Sequence, residues 1–151
     1  MFIIMKHIKT QSLLIEEKSP RLDPWWVTGY TDGEGNFTIK TLAAKTTKIG
    51  YTVRLVYQVS VHPSDIELLY KLKSYFNNVG DIVVTEHYVA YRITKLSDIL
   101  NIVIPHFSNY PLQSTKLISY YLFNAVAMIM KDNNHITLEG YKKKYYLIKP
   151  H

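Results

Sequence analysis

The chain has no cysteine. That excludes a disulfide scaffold, a zinc–cysteine site, an iron–sulfur cluster and a thiol nucleophile, and leaves oxygen or imidazole as the only strong metal ligands. It also lacks a long hydrophobic run. The longest nearly apolar stretch, Leu117 to Met130, is broken by Ser119 and Asn124 and falls short of the ~20 residues a bilayer span requires. It reads as a buried helix, and no membrane partner is expected. Met1 to Met5 is apolar but has neither the preceding positive charge nor the length and cleavage site of a signal peptide, so no export is expected. Two common catalytic signatures are missing as well, the phosphate-cradling Gly-x-x-x-x-Gly-Lys and the Gly-x-Ser-x-Gly elbow.

What is present describes a folded, basic protein. The 151 residues are 47% hydrophobic and 20% charged, the mixture of a single globular domain rather than a disordered tail. Eighteen Lys+Arg against twelve Asp+Glu leave a formal charge of +6, which favours a polyanionic partner. Only three of the eighteen are arginine, and isoleucine, tyrosine and asparagine are abundant. This is the bias of AT-rich coding sequence, of which an organellar genome is one source.

Residues 1–22 show no sustained period and close at Ser19-Pro20, so they read as an N-terminal extension to a domain over 23–151. Asp23-Pro24 marks a helix start, with Asp accepting from an orphan amide and Pro at the first helical position. The spacing predicts a helix over Trp25 to Asp32 that stops near Gly33. Period-two strands are expected over Asn36 to Lys40 and Tyr51 to Val61. Ser64-Asp65-Ile66-Glu67 reads as a capping box opening a helix that ends at Gly80. Strands over Asp81 to Glu86 and Tyr88 to Thr94 follow. Ser97-Asp98 should cap a helix that Pro105 ends or kinks, and long helices are expected over about Ser114 to Lys131 and Thr137 to Ile148. This order is an α+β arrangement with helices on one face of an antiparallel sheet.

Two constellations carry chemistry. In Trp26-Val27-Thr28-Gly29-Tyr30-Thr31-Asp32-Gly33-Glu34-Gly35, Gly29 and Gly33 share one helix face and would let a second backbone approach. Glu34 lies at the helix C-terminus, where the dipole disfavours a carboxylate unless a cation compensates. A glycine-rich turn with a solvated glutamate accounts for the same residues. The second is a polar strand face: Asn36, Thr38 and Lys40; Thr52, Arg54, Gln58 and Ser60; Tyr88, Arg92 and Thr94. Arg and Gln read base edges in a major groove, which admits a β-ribbon, and a ten-residue strand of ~33 Å spans about one duplex turn. A solvated outer sheet face would also be polar. His62, His87, His106 and His135 form no i, i+4 pair and read as surface or capping residues. Lys142-Lys143-Lys144 reads as a solvated face or a phosphate contact.

Trp26 through Phe37 resembles the LAGLIDADG motif of homing endonucleases and related intron maturases. Gln58-Val59-Ser60-Val61-His62, Tyr110-Pro111-Leu112-Gln113-Ser114-Thr115-Lys116 and His135-Ile136-Thr137-Leu138-Glu139-Gly140-Tyr141 are similar to segments in the N-terminal half of two-motif enzymes of fungal mitochondrial introns. The resemblance implies the αββαββα LAGLIDADG homing-endonuclease fold with a saddle-shaped antiparallel sheet. It further implies that Glu34 and the Gly33 carbonyl bind Mg²⁺ or another divalent cation and that Glu34 and Lys116 are catalytic. By the same resemblance Asp32 is mainly structural, and Trp26, Gly29, Tyr30 and Gly33 form a dimer or domain interface. Where many family half-sites have a pocket glutamine this chain has Val61, which implies a weaker catalyst alone.

The expected function is site-specific double-strand cleavage of DNA, with a homodimer or a second LAGLIDADG half as partner and mitochondrial encoding. The alternatives are an intron maturase, with intron RNA as partner, and a DNA-binding relic that does not cleave.

Overall fold

A computed structural model describes residues 21–48 and 50–132. Most of the proposed 1–22 extension, His135, the 137–148 helix and the triple lysine therefore lie outside the described residues. Helix α1 (Pro24–Glu34) opens as the sequence predicts. The Asp23 carboxylate accepts from the amides of Trp25 and Trp26 at 2.8 and 3.2 Å, with Pro24 behind it. The helix includes Glu34 and passes at Gly35 directly into β1 (Gly35–Ala43). Gly35 is required there, because a Cβ would lie 2.6 Å from Thr31 Cγ2 and 2.9 Å from the Thr31 carbonyl.

Strand β2 (Tyr51–Val61) spans the expected residues and lies antiparallel between β1 and β4 (Val89–Ile93); β3 (Asp81–Val84) is the far edge, giving the order β1-β2-β4-β3. Alternation sends Val53, Leu55, Tyr57 and Val59 into the core and leaves Thr52, Arg54, Gln58 and Ser60 on the opposite face. Phe37 anchors the core, its ring 5.2–5.4 Å from those of Tyr57, Phe107, Tyr120 and Phe123. Buried residues of helices α2 (Ile66–Tyr75), α3 (residues 96–109) and α4 (Lys116–Lys131) complete this core. The order over the described residues is αββαββαα, the expected αββαββα arrangement followed by α4.

The local differences have identifiable causes. No capping box forms at Ser64. Pro63 instead starts a short 3₁₀ turn, Pro63–Asp65, whose first orphan amide, that of Ser64, is taken by His62 Nδ1 at 3.2 Å. Helix α2 ends at Tyr75 rather than Gly80, because Asn77 and Asn78 both adopt positive φ before Gly80 does (φ 78°). Helix α3 begins at Leu96 without a side-chain cap and is not ended by Pro105. It continues through Leu96–Asp98, a π-helical stretch Ile99–Val103 and Ile104–Asn109. A proline lacks the amide that an α-helix uses and crowds the carbonyl four residues earlier, and widening the preceding turn relieves both.

Candidate active site and nucleic-acid interface

Helix α1 has two working faces. Val27, Thr28 and Thr31 point into the core, and Trp26, Gly29, Tyr30 and Gly33 form a stripe on the other side. Trp26 stacks on Tyr30, with centroids 4.8 Å apart and planes at 10°. A Cβ built on Gly29 or Gly33 would meet nothing within 4 Å. Nothing within the described chain therefore demands glycine at either position, in contrast to Gly35. The stripe is open for another backbone.

The inner face is pinned by buried polar contacts that sequence reasoning missed. The Thr31 hydroxyl bonds Tyr57 Oη at 2.9 Å. Thr28 Oγ1 donates to the Tyr110 carbonyl at 2.8 Å and lies 3.2 Å from His106 Nε2, whose Nδ1 is 3.0 Å from Tyr75 Oη. Because the one Thr28 proton is used on Tyr110, His106 Nε2–H donates to Thr28 and Nδ1 accepts from Tyr75. Burial pushes the His106 pKa down to about 4, so the imidazole is neutral at physiological pH. His106 is thus a buried connector of α1, α2 and α3, not the surface or capping residue expected. The only sequence signal was a pair of threonines, Thr28 and Thr31, three apart on the inward face of an apolar helix.

At the C-terminus of α1 the structure brings together residues more than eighty positions apart. Lys116 Nζ donates to the carbonyls of Thr31 and Asp32 at 3.0 and 2.8 Å. The Asp32 carboxylate accepts from the amides of Gln113 and Ser114 at 2.8 and 3.2 Å and from the Ser114 hydroxyl at 2.6 Å. Partial burial raises the Asp32 pKa, but these bonds and the Lys116 charge outweigh it and hold the carboxyl below its ordinary value. The cation needed at the negative end of the helix dipole is therefore supplied in part by Lys116.

Glu34, in the same last turn, is exposed, and among the described residues its carboxylate takes no hydrogen bond or ion pair. A free carboxylate beside the Gly33 carbonyl is an all-oxygen donor pair, the kind suited to Mg²⁺ or Ca²⁺. No group of three acidic or imidazole side chains that could hold a metal ion occurs among the described residues. Val61, at the sheet end, is half-buried.

The polar strand residues assemble on the sheet face away from the core. Register places Asn36 opposite Gln58, Lys40 opposite Arg54, and Gln58 opposite Arg92. Thr38, Thr52 and Ser60 share that face, Tyr88 just precedes β4 and Thr94 just follows it. Two cations directly opposite each other, Lys40 and Arg54, are unfavourable in a free sheet and suit an anionic partner. Asp81, opposite Arg92 on β3, is an acid on this surface that the sequence reading did not single out. Among the described residues no helix is long and apolar enough to cross a membrane.

A family model described as LAGLIDADG endonuclease matches residues 27–127. The chain belongs to the LAGLIDADG endonuclease family. It is 34% identical over 124 residues to a probable intron-encoded endonuclease 2 of Neurospora crassa, covering 81% of this chain and 27% of that protein. An uncharacterized 50.9 kDa protein in ND4 intron 1 of Podospora anserina is 32% identical over 136 residues, covering 87% and 29%. Among solved structures, the LAGLIDADG homing endonuclease I-SmaMI bound to cleaved DNA superposes with a TM-score of 0.81 at 33% identity, covering 83% of this chain and 42% of that one. The same enzyme bound to an uncleaved DNA target in the presence of calcium ions gives 0.82, at 33% identity and with 83% and 43% covered. The chain therefore spans less than a third of these two curated relatives and under half of I-SmaMI.

Proposed function

We propose that this chain supplies one catalytic half of a site-specific, divalent-metal-dependent endonuclease that cuts both strands of duplex DNA, with residues 23–151 as the functional unit. The observation that carries the reading is the end of α1, where an exposed, unpaired Glu34 sits in the turn whose preceding carbonyls are held by Lys116. Glu34 and the Gly33 carbonyl would hold Mg²⁺ or another divalent cation, which when bound neutralises phosphate charge and acidifies a coordinated water. Lys116 uses two of its three N–H bonds on α1. The third is left to stabilise charge on a phosphate or leaving oxygen. Asp32 fixes the start of α4 and so the root of Lys116. Arg54, Arg92 and their neighbours on the open sheet face bind the duplex, and Lys40 contacts phosphate.

One acid per chain serves one strand, so a second LAGLIDADG unit completes the site. The open stripe of Gly29 and Gly33 supports pairing through α1. A homodimer satisfies the requirement, and so does a second half in a longer polypeptide; the 42% coverage of I-SmaMI favours the latter. The composition, together with a relative named for an ND4 intron, supports an intron reading frame of a mitochondrial genome. The test is Glu34→Gln, which removes charge with little change of shape. It should abolish Mg²⁺-dependent cleavage and leave DNA binding intact, and undiminished cutting would reject the assignment.

A further inference from the structure

On the reading that the sheet binds duplex DNA, we infer that Gln58 is a positioning residue: it holds the Arg92 guanidinium for one guanine and does not read a base of its own. Arg92 Nε donates to Gln58 Oε1 across the β2–β4 pair, and Gln58 Nε2 donates to Ser60 Oγ at 2.6 Å. Arginine has donors only, so it fixes which way the Gln58 amide points. Reading adenine would require that same Oε1 to accept from the base while Nε2 donates to it. Gln58 would then have to share Oε1 between the base and Arg92, and Nε2 between the base and Ser60, in an orientation that the Arg92 bond has already set.

Arg92 is restrained from a second side, where Nη2 lies 3.4 Å from Tyr88 Oη. Two of its five N–H bonds are thereby used, and at least one on each terminal nitrogen remains for the fork that matches guanine O6 and N7. Asp81 stands directly opposite on β3, yet no ion pair joins it to Arg92 among the described residues. The guanidinium is turned toward β2 and the neutral amide, and it keeps its full charge for a ligand. A preorganised fork loses less freedom on binding than a mobile one, which sharpens discrimination at that base pair.

The whole chain contains three arginines, so ¹⁵N spectra of arginine Nε–H groups hold three signals and the free protein can be examined without DNA. In the wild-type chain the Arg92 Nε–H should exchange slowly. Gln58→Ala should accelerate that exchange about tenfold or more, and Gln58→Glu, which retains the acceptor, should keep it slow. Exchange unchanged by Gln58→Ala would overturn the inference.

Selection from a randomised duplex library supplies the functional arm. Arg92→Ala and Gln58→Ala should relax guanine preference at the same position by about tenfold, with the double variant no worse than either alone. Relaxation at a different position in Gln58→Ala, or additive losses, would show that Gln58 reads its own base. If the wild-type chain enriches no sequence while its Arg92 signal stays protected, the DNA reading itself fails and the inference falls with it.

Discussion

Asp32 and Lys116 tie the end of α1 to the start of α4 from both sides: the Lys116 ammonium closes C-terminal carbonyls of α1, and the Asp32 carboxylate accepts from the two amides just ahead of α4. Each places a charge where the partner helix dipole favours it, an anion at an N-terminus and a cation at a C-terminus. The consequence for catalysis is geometric. The backbone of Glu34 and the side chain of Lys116 are fixed to the same turn, so the two proposed catalytic groups move together.

Asp32→Asn should therefore cost more than a surface substitution. It removes the charge while keeping a carbonyl oxygen, and about 1 kcal/mol is the usual net worth of a hydrogen bond. The folded carboxyl is held below its ordinary pKa, so its stabilisation is present above pH ~4 and is lost as pH falls through the folded value. Urea unfolding at pH 7 and pH 3 should show the wild-type and Asp32→Asn curves converging in acid. A constant gap would mean that the bonds contribute through shape alone.

His106 gives a second, separable pH dependence. Its folded pKa of about 4 lies below the ordinary 6.5 because burial disfavours the imidazolium. Between those values the unfolded chain takes up a proton that the folded chain refuses. Stability is thus full above pH ~6.5 and declines as pH falls toward 4, by about 3 kcal/mol. His106→Gln should lower stability at neutral pH by loosening the α1–α2–α3 junction, and it should flatten the slope between pH 6.5 and 4. An unchanged slope would place the titrating group elsewhere.

The glycines of α1 divide into those the chain needs and those a partner needs. Gly35→Ala drives a methyl into Thr31 side chain and backbone and should destabilise the isolated chain by about 1–3 kcal/mol, the range for an overpacked site. Gly29→Ala meets open space and, since alanine is the better helix former by up to ~1 kcal/mol, should leave melting unchanged or raised. Gly29→Leu should instead weaken association with a second LAGLIDADG unit, read by sedimentation with the wild-type chain as reference. A Gly29→Leu chain that pairs as well as wild type would remove α1 as the interface.

These contrasts follow what a sequence can and cannot encode locally. The length and the two faces of strand β2 were legible, because alternation runs from Tyr51 to Val61 and is interrupted only by Val56, which is apolar and buried on the otherwise polar face. The start of α1 was legible because Asp23-Pro24 acts within three residues. His106 was not, since its partners Thr28 and Tyr75 are 78 and 31 positions away and only the folded helices bring them together. The π-helical turn before Pro105 was invisible for a related reason: a shift in hydrogen-bond register leaves no mark in hydrophobic period. Lys116 was singled out by resemblance, but its anchoring on Thr31 and Asp32 is a property of the fold.

The Lys40–Arg54 pair offers a test that separates the free protein from its complex. The two cations face each other across β1 and β2 on an exposed surface, and like charges so placed destabilise a sheet by a few tenths of a kcal/mol. Lys40→Ala should therefore leave the free chain equally stable or slightly more so, most visibly at low salt where screening is weak. On DNA the sign reverses. Losing a phosphate contact should weaken binding to all sequences alike and reduce the slope of log affinity against log salt by about one, whereas Arg54→Ala should weaken one preferred sequence by about 1–3 kcal/mol more than others. Melting at 20 and 300 mM salt, with binding titrations across the same range, checks both halves. A Lys40→Ala chain that binds DNA with an unchanged salt slope would remove Lys40 from the phosphate contacts.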